Sequence, residues 1–368
     1  MRKLVVNIVL VMLLTLAAVM GCQRRPLSYM EEEGLKVVVK VLWKAEVYPE
    51  GLKPSGVSLY FFKEGKFYRS HTTANVDSCA IQLEPGRYRL FMISQSPDEY
   101  GRMEFENLTD FAKASVSVTE TDTKWYTRAE GEELIGNPEM MTVGVSDEFE
   151  VSEDMVENYQ HYNALRKRQA SETKAGESEI IKTQELVNYY TVRVPIYPQS
   201  IVSQYWVTIY SDNVDVLQSV RASTSGMAKT FELTQGITGS EVGTQFITQW
   251  SMTIDEPSTR VGHVDGKITT FGFPNGEQPS EMRDSTLNVS ALLIDNQTVE
   301  NYVFNVGDKI TSEDNPPEGY RALYRLVFGS VEAPEIHPPD VRPPGESGGG
   351  FIAGVADWDE ETRVGIDI

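Results

Sequence analysis

Cysteine is nearly absent, with two residues in a chain of 368. That excludes a disulfide framework or a Cys-ligated zinc site once Cys22 is otherwise committed. Cys79 then has no partner and reads as a small buried hydrophobe. The four histidines, His71, His161, His263 and His337, are far apart and form no H-E-x-x-H motif. Each is expected to be a surface or core-edge residue, not a ligand. Positive charge is also scarce: 33 Lys and Arg against 54 Asp and Glu leave a net charge of -21. So acidic a chain repels polyanions, which sets nucleic-acid binding aside. Gly348-Gly349-Gly350 opens no helix. In Gly239-Ser240-Glu241-Val242-Gly243 the Ser directly follows the first Gly, unlike a G-x-S-x-G elbow. Carboxylates are too abundant for any pair to stand out as a glycosidase dyad. No catalytic residue, metal or cofactor is expected, and the chain reads as a non-enzyme. A hydrolase is the last of three readings.

Long apolar runs are missing too, except one. Arg2 and Lys3 precede an apolar stretch from Leu4 to Gly21, and Cys22 follows it. A basic start, an apolar middle and a small residue before the cut make a secretory signal. Leu16-Ala17-Ala18-Val19-Met20-Gly21-Cys22 resembles a bacterial lipobox, with Val19 where Leu is commoner. Cys22 is therefore the expected lipidation site, since two or more acyl chains anchor a protein stably where one does not. A transmembrane helix, interrupted by Asn7, and an ordinary signal cut near Ala18 are the competing readings.

Beyond a 22–34 tether the pattern turns to short β-rich runs. Leu35 to Trp43 is the first. Val57 to Phe62 and Lys66 to Arg69 flank Glu64-Gly65 as a hairpin. Ile81 to Leu83 and Tyr88 to Ile93 flank Glu84-Pro85-Gly86-Arg87, which suits a type II turn. An N-terminal β-sandwich is expected over 35–128. An acidic connector, 129–180, carries one helix from Ser152 to Arg168, capped by Ser152 and charged to suit its dipole. A polar linker follows over Glu172 to Glu179. The connector has no EF-hand loop, and its acidic residues read as solvated surface. Over 181–332 strands resume: Tyr189 to Tyr197 pairs with Ile201 to Tyr210 about Pro198-Gln199-Ser200. Further strands cover Phe246 to Ile254, Gly266 to Phe273, Leu287 to Ile294, Asn301 to Val306 and Tyr320 to Phe328. A Pro/Gly spacer, 333–350, leads to 351–368, whose alternating Val364, Ile366 and Ile368 are expected to complete the second sandwich.

The order of several short motifs carries a resemblance. They are Cys22, Leu83-Glu84-Pro85-Gly86-Arg87-Tyr88, Ser225-Gly226-Met227-Ala228, Thr269-Thr270-Phe271-Gly272-Phe273, and Gly348-Gly349-Gly350-Phe351 with Asp357-Trp358. Together they resemble Bacteroidetes surface lipoproteins of the family called domain of unknown function 5119. That family is itself similar to fimbrillin-type proteins and lipid-anchored minor fimbrial subunits. The resemblance implies an all-β chain of two transthyretin-like Greek-key sandwiches with a short helical acidic insert between them. It implies an outer-membrane lipoprotein serving as fimbrial anchor or accessory subunit, with the membrane and other fimbrial-type subunits as partners. Gln23-Arg24-Arg25 after Cys22 lacks the acidic residues common in exported members, so cell-surface and periplasmic faces both stay open. The alternative is a glycan-binding lipoprotein beside an outer-membrane polysaccharide importer, with Trp43, Trp125, Trp206, Trp250 and Trp358 as stacking faces.

Overall fold

The structure is a computed structural model that describes residues 34–44, 48, 50–172, 176–277 and 285–344. The signal segment, Cys22, most of the tether and the 351–368 strand segment lie outside the described residues. The described chain is mostly β, with a helical insert between its sheets, and forms two compact units.

The smaller unit holds 34–37, 81–85 and the helical stretch 152–191 among the described residues. Its first helix, Glu153–Ser171, is capped by Ser152, whose hydroxyl accepts from the Met155 N–H at 3.3 Å. Glu153 and Asp154 sit at the positive end and Arg168 at the negative end, as the charge pattern predicts. A second helix, Glu177–Tyr189, replaces part of the expected linker and the start of the expected strand. Its signal was present: Thr183 and Val187 lie one turn apart and both are buried. The two helices pack together through Tyr162 and Tyr190, stacked at 5.8 Å, and through Arg166 donating to Gln184 at 3.4 Å.

In chain order the strands before the helices are β1 (Leu35–Val41), β2 (Val57–Lys63), β3 (Lys66–Thr73), β4 (Ser78–Leu83), β5 (Gly86–Ser94), β6 (Met103–Glu106), β7 (Ser115–Val118), β8 (Thr142–Val145) and β9 (Phe149–Val151). After them come β10 (Val192–Ile196), β11 (Gln199–Ser200), β12 (Ser203–Ser211), β13 (Leu217–Ala228), β14 (Thr230–Glu232), β15 (Ile237–Thr238) and β16 (Val242–Ile247). The last are β17 (Trp250–Glu256), β18 (Val261–Thr270), β19 (Thr286–Leu293), β20 (Val299–Asn305), β21 (Thr311–Glu313) and β22 (Leu323–Phe328). Five sheets result. Their orders are β10-β1-β4, β11-β8-β5-β2-β3 with β9 also on β5, β17-β18-β12-β22-β21, β16-β13-β19-β20 and β15-β14-β7-β6.

The larger unit is built on one apolar core that includes Phe91, Tyr205, Phe231, Phe273 and Phe328. Strand β12 alternates strictly, burying Tyr205, Val207 and Ile209, whereas β2 is buried on both faces except at its end. Tyr60 stacks on Phe91 at 4.9 Å and Phe304 on Phe328 at 4.3 Å, close contacts of the kind that add to area burial.

Three local expectations are corrected. The Tyr189–Tyr197 and Ile201–Tyr210 segments do not pair with each other. Strand β10 lies at the edge of the three-stranded sheet, where Pro195 can be tolerated, while β12 sits between β18 and β22. The pairing of β12 with β22 is parallel, so that sheet is mixed instead of purely antiparallel. The stretch expected over Phe246–Ile254 divides into β16 and β17, which belong to different sheets.

The Glu64-Gly65 hairpin forms as expected, with both residues at positive φ (50° and 78°), matching the twist of β2 and β3. Glu84 to Arg87 is not a hairpin turn. Strands β4 and β5 belong to different sheets, because β5 is taken up by β2 and β8. Gly86 has φ 152°, far from the value near 80° of a type II turn. A Cβ there would come within 2.6 Å of Lys63 Cε. Gly86→Val is therefore expected to destabilise the protein by about 1–3 kcal/mol through backbone strain and displacement of Lys63. Chemical denaturation of the two proteins side by side measures this, and an unchanged midpoint would contradict it.

Candidate functional site

Strands β6, β7 and β14 turn Met103, Val116, Val118 and Phe231 into the core and present polar residues outward. Their register lays Glu104, Ser117 and Thr230 in one row, and Glu106, Ser115 and Glu232 in the next. The face forms an open groove of about 740 Å³, with Gly239-Ser240-Glu241 on its rim. Lys229 is held there by Glu133 at 2.8 Å and Glu120 at 3.9 Å, and the hydrogen bond to Glu133 raises its pKa. Burial raises the Glu232 carboxyl. No His lines the groove, so none of its three serines has an adjacent imidazole to activate it.

A second, smaller pocket of about 210 Å³ lies on the outward face of β19 and β20. Two cross-strand rows build its floor. Phe246, Ser223, Asn288 and Val303 form one, and Arg221, Ser290 and Asn301 the other. Trp125 and Tyr126 close one side. Both rings pack edge-on against Phe246, at 5.2 and 5.5 Å, and the Arg221 guanidinium lies 5.8 Å from the Trp125 ring. Glu132 fixes this loop. Its carboxylate accepts from Tyr126 Oη (2.9 Å), Thr244 Oγ1 (2.6 Å) and the Ala129 N–H (2.8 Å). Burial alone would raise the Glu132 pKa, but these three donors outweigh it and hold the carboxyl below its ordinary value.

A carboxyl with a depressed folded pKa stabilises the fold above its unfolded value. That stabilisation disappears as pH falls through the lower, folded value. The Trp125–Tyr126 loop is thus expected to be fully held above about pH 4.5 and to loosen below it. Near-ultraviolet circular dichroism across pH 3 to 6 reads this out. Glu132→Gln should remove the corresponding part of the pH dependence, and an identical profile in the variant would refute the assignment.

The sheet edges differ in character. Strand β3 carries Lys66, Arg69 and His71, charged or polar residues of the kind that blunt an edge. Strand β17 is exposed on both faces from Ser251 to Glu256, with Met252 43% and Ile254 51% exposed. It is braced from below: His263 contacts Asp255 at 2.6 Å and Asp265 at 3.2 Å, and Thr208 donates to Asp265 at 2.5 Å. Strand β20 shows Val299 and Val303, the latter 70% exposed. Among the described strands, β17 and β20 end their sheets. Val242 on β16 and Ile237 on β15 are exposed as well, but β17 carries two such residues on a strand open on both faces.

Cys22, the sole residue singled out as a modification site, lies outside the described residues. Cys79 is buried, and burial raises its thiol pKa against the opposing charge of Arg69, so it is a poor nucleophile. His337 pairs with Asp212 at 2.5 Å. Among the described residues no three His, Cys, Asp or Glu are grouped to hold a metal, and no helix is long and apolar enough to cross a membrane. Of the tryptophans, Trp43 donates to Val76 O, Trp206 packs under Arg325 and Trp250 packs against the core. Trp125 lines the small pocket, and Trp358 lies outside the described residues. Asn288 and Asn301 drew no attention as pocket residues, because their proximity arises only from pairing across strands.

The described chain is thus a β-sandwich-like protein with a polar groove, a small aromatic pocket and sheet edges that keep apolar residues. The family model described as domain of unknown function DUF5119 matches residues 21–248, and the chain belongs to that family. No curated protein matches the sequence. Its fold is similar to that of a candidate adhesin from Bacteroides ovatus, with TM-score 0.52 and 13% identity over 84% of this chain and 94% of the other. The fimbrial anchor protein Mfa2 from Porphyromonas gingivalis is more distant, with TM-score 0.44 and 14% identity over 79% and 90% of the two chains.

Proposed function

We propose that this protein is a non-catalytic outer-membrane lipoprotein, anchored through Cys22, that serves as a fimbrial anchor or accessory subunit. It acts in surface-fibre assembly or adhesion by pairing strands with another subunit. The observation that carries the reading is the β17 edge, open on both faces and bearing Met252 and Ile254. Such an edge offers main-chain donors and acceptors for affinity and alternate side chains for register. The lipobox-like end of the signal, membership of the family and the adhesin-like fold support it. The same reading takes the sheets as two transthyretin-like Greek-key sandwiches over 35–128 and 181–332, joined by the acidic connector.

Two variants test the two halves of this proposal. Cys22→Ala should abolish incorporation of labelled palmitate and release the protein from the outer membrane; continued labelling would disprove the anchor. Ile254→Lys should leave the melting temperature within about 2 °C, since an exposed side chain contributes little to stability. It should nevertheless remove the protein from fibres or from cross-linked complexes with neighbouring subunits. Normal incorporation of this variant would exclude β17 as the pairing edge.

A further inference from the structure

We infer that the pocket between Trp125, Tyr126 and the β19–β20 face is a subsite for a single neutral pyranose ring of a glycan. Composition of the lining decides the class of ligand. In a chain that is 24% charged, every residue lining this pocket is free of formal charge. Arg221 lies against the Trp125 ring and Glu132 is taken by its three donors, which leaves Glu300, beside Tyr302, as a negative charge near the rim. An anionic ligand would find no counter-charge in the lining and a carboxylate nearby, while a neutral polar one loses nothing by that.

What remains matches the two faces of a sugar. Trp125 and Tyr126 are half-buried aromatic rings, fixed by Phe246 and Glu132, so they offer an ordered surface for the C–H face of a pyranose. Opposite the rings Ser290 and Asn301 offer hydroxyl and amide groups that can both donate and accept, as a ring of hydroxyls requires, while Asn288 meets the Tyr126 hydroxyl. The Asn301 and Ser290 side chains make no hydrogen bond within the described residues, so they are free to bond a ligand. The Asn288 amide is already oriented, donating to Ser223 Oγ at 3.4 Å. The volume of about 210 Å³ is below the ~300–1,000 Å³ of sites for drug-sized ligands and suits one ring, with the open side left for the rest of the glycan.

The mature protein is to be titrated with methyl β-D-galactopyranoside, methyl α-D-mannopyranoside and N-acetylglucosamine, with glucuronate as a charged counterpart. Indole fluorescence and ligand-observed NMR follow binding. At least one neutral sugar should saturate, and glucuronate should not. Asn301→Ala, an exposed change that spares the fold, should weaken that sugar about three- to tenfold through loss of one hydrogen bond. Trp125→Phe should keep part of the affinity and Trp125→Ala should lose it. Ile254→Lys, on β17 outside this pocket, should leave the titration unchanged, so the subsite and the strand-pairing reading fail separately. Three outcomes would each overturn the subsite: no neutral sugar saturating by about 50 mM, glucuronate binding equally well, or Asn301→Ala leaving affinity unchanged. A protein partner's aromatic side chain as the true occupant would appear as the first of these.

Discussion

Strand β12 is hydrogen-bonded on both sides, antiparallel to β18 and parallel to β22, and buries Tyr205, Val207 and Ile209 completely. The larger unit depends on that placement. A strand bonded on both edges cannot slip by one residue without turning its whole apolar set to the wrong face. The parallel partner, Leu323–Phe328, is more than a hundred residues along the chain. Such pairings are entropically costly to close and place the sheet among slow-forming topologies. With β22 seated, Phe328 is fixed under Phe304, which ties β20 to the same core.

Two consequences reach the surface. Once β12 and β18 are fixed, β17 has one partner among the described strands, and its other edge is open to them. Its neighbours Asp255, His263 and Asp265 hold the strand in place without covering it. On the sheet that contains β13 and β19, register alone brings Asn288, Ser290 and Asn301 together beneath two aromatic rings. One carboxylate, Glu132, satisfied by three donors, keeps those rings there. A partly buried carboxylate so placed is stable because its lone pairs are taken, and removing one donor would leave an expensive group unmatched.

The resemblance in sequence was carried by motifs whose local roles are now visible. Ser225-Gly226 lies where the register of β13 against β16 shifts by one residue, a bulge with Gly226 at φ 79°. Thr269-Thr270 ends β18, and Gly272 at φ 107° leads into the buried Phe273. Both are backbone requirements, one at a bulge within β13 and one just past the end of β18.

Local patterns were legible from the sequence alone. Short β-rich runs marked β12 and β19, Glu64-Gly65 marked a hairpin, and Ser152 with its acidic neighbours marked a helix start. Each rests on neighbours a few residues apart. The second helix was also written in the spacing of Thr183 and Val187, but a polar run of Glu172 to Glu179 obscured its beginning. Partnership between strands was not legible. A strand's alternation shows which face is buried but carries nothing about which other strand it bonds, so β4 was matched to β5, and β10 to β12. The small pocket belongs to that second category. Trp125 was one of five tryptophans with the same chemical promise, and only cross-strand register set Asn288 and Asn301 beside it. Sequence by itself determined the β-rich class and the local turns, because these follow from dihedral preference and period-two burial. Tertiary structure decided the sheet orders, the open edges and the pocket, because long-range pairing is settled by packing the whole core at once.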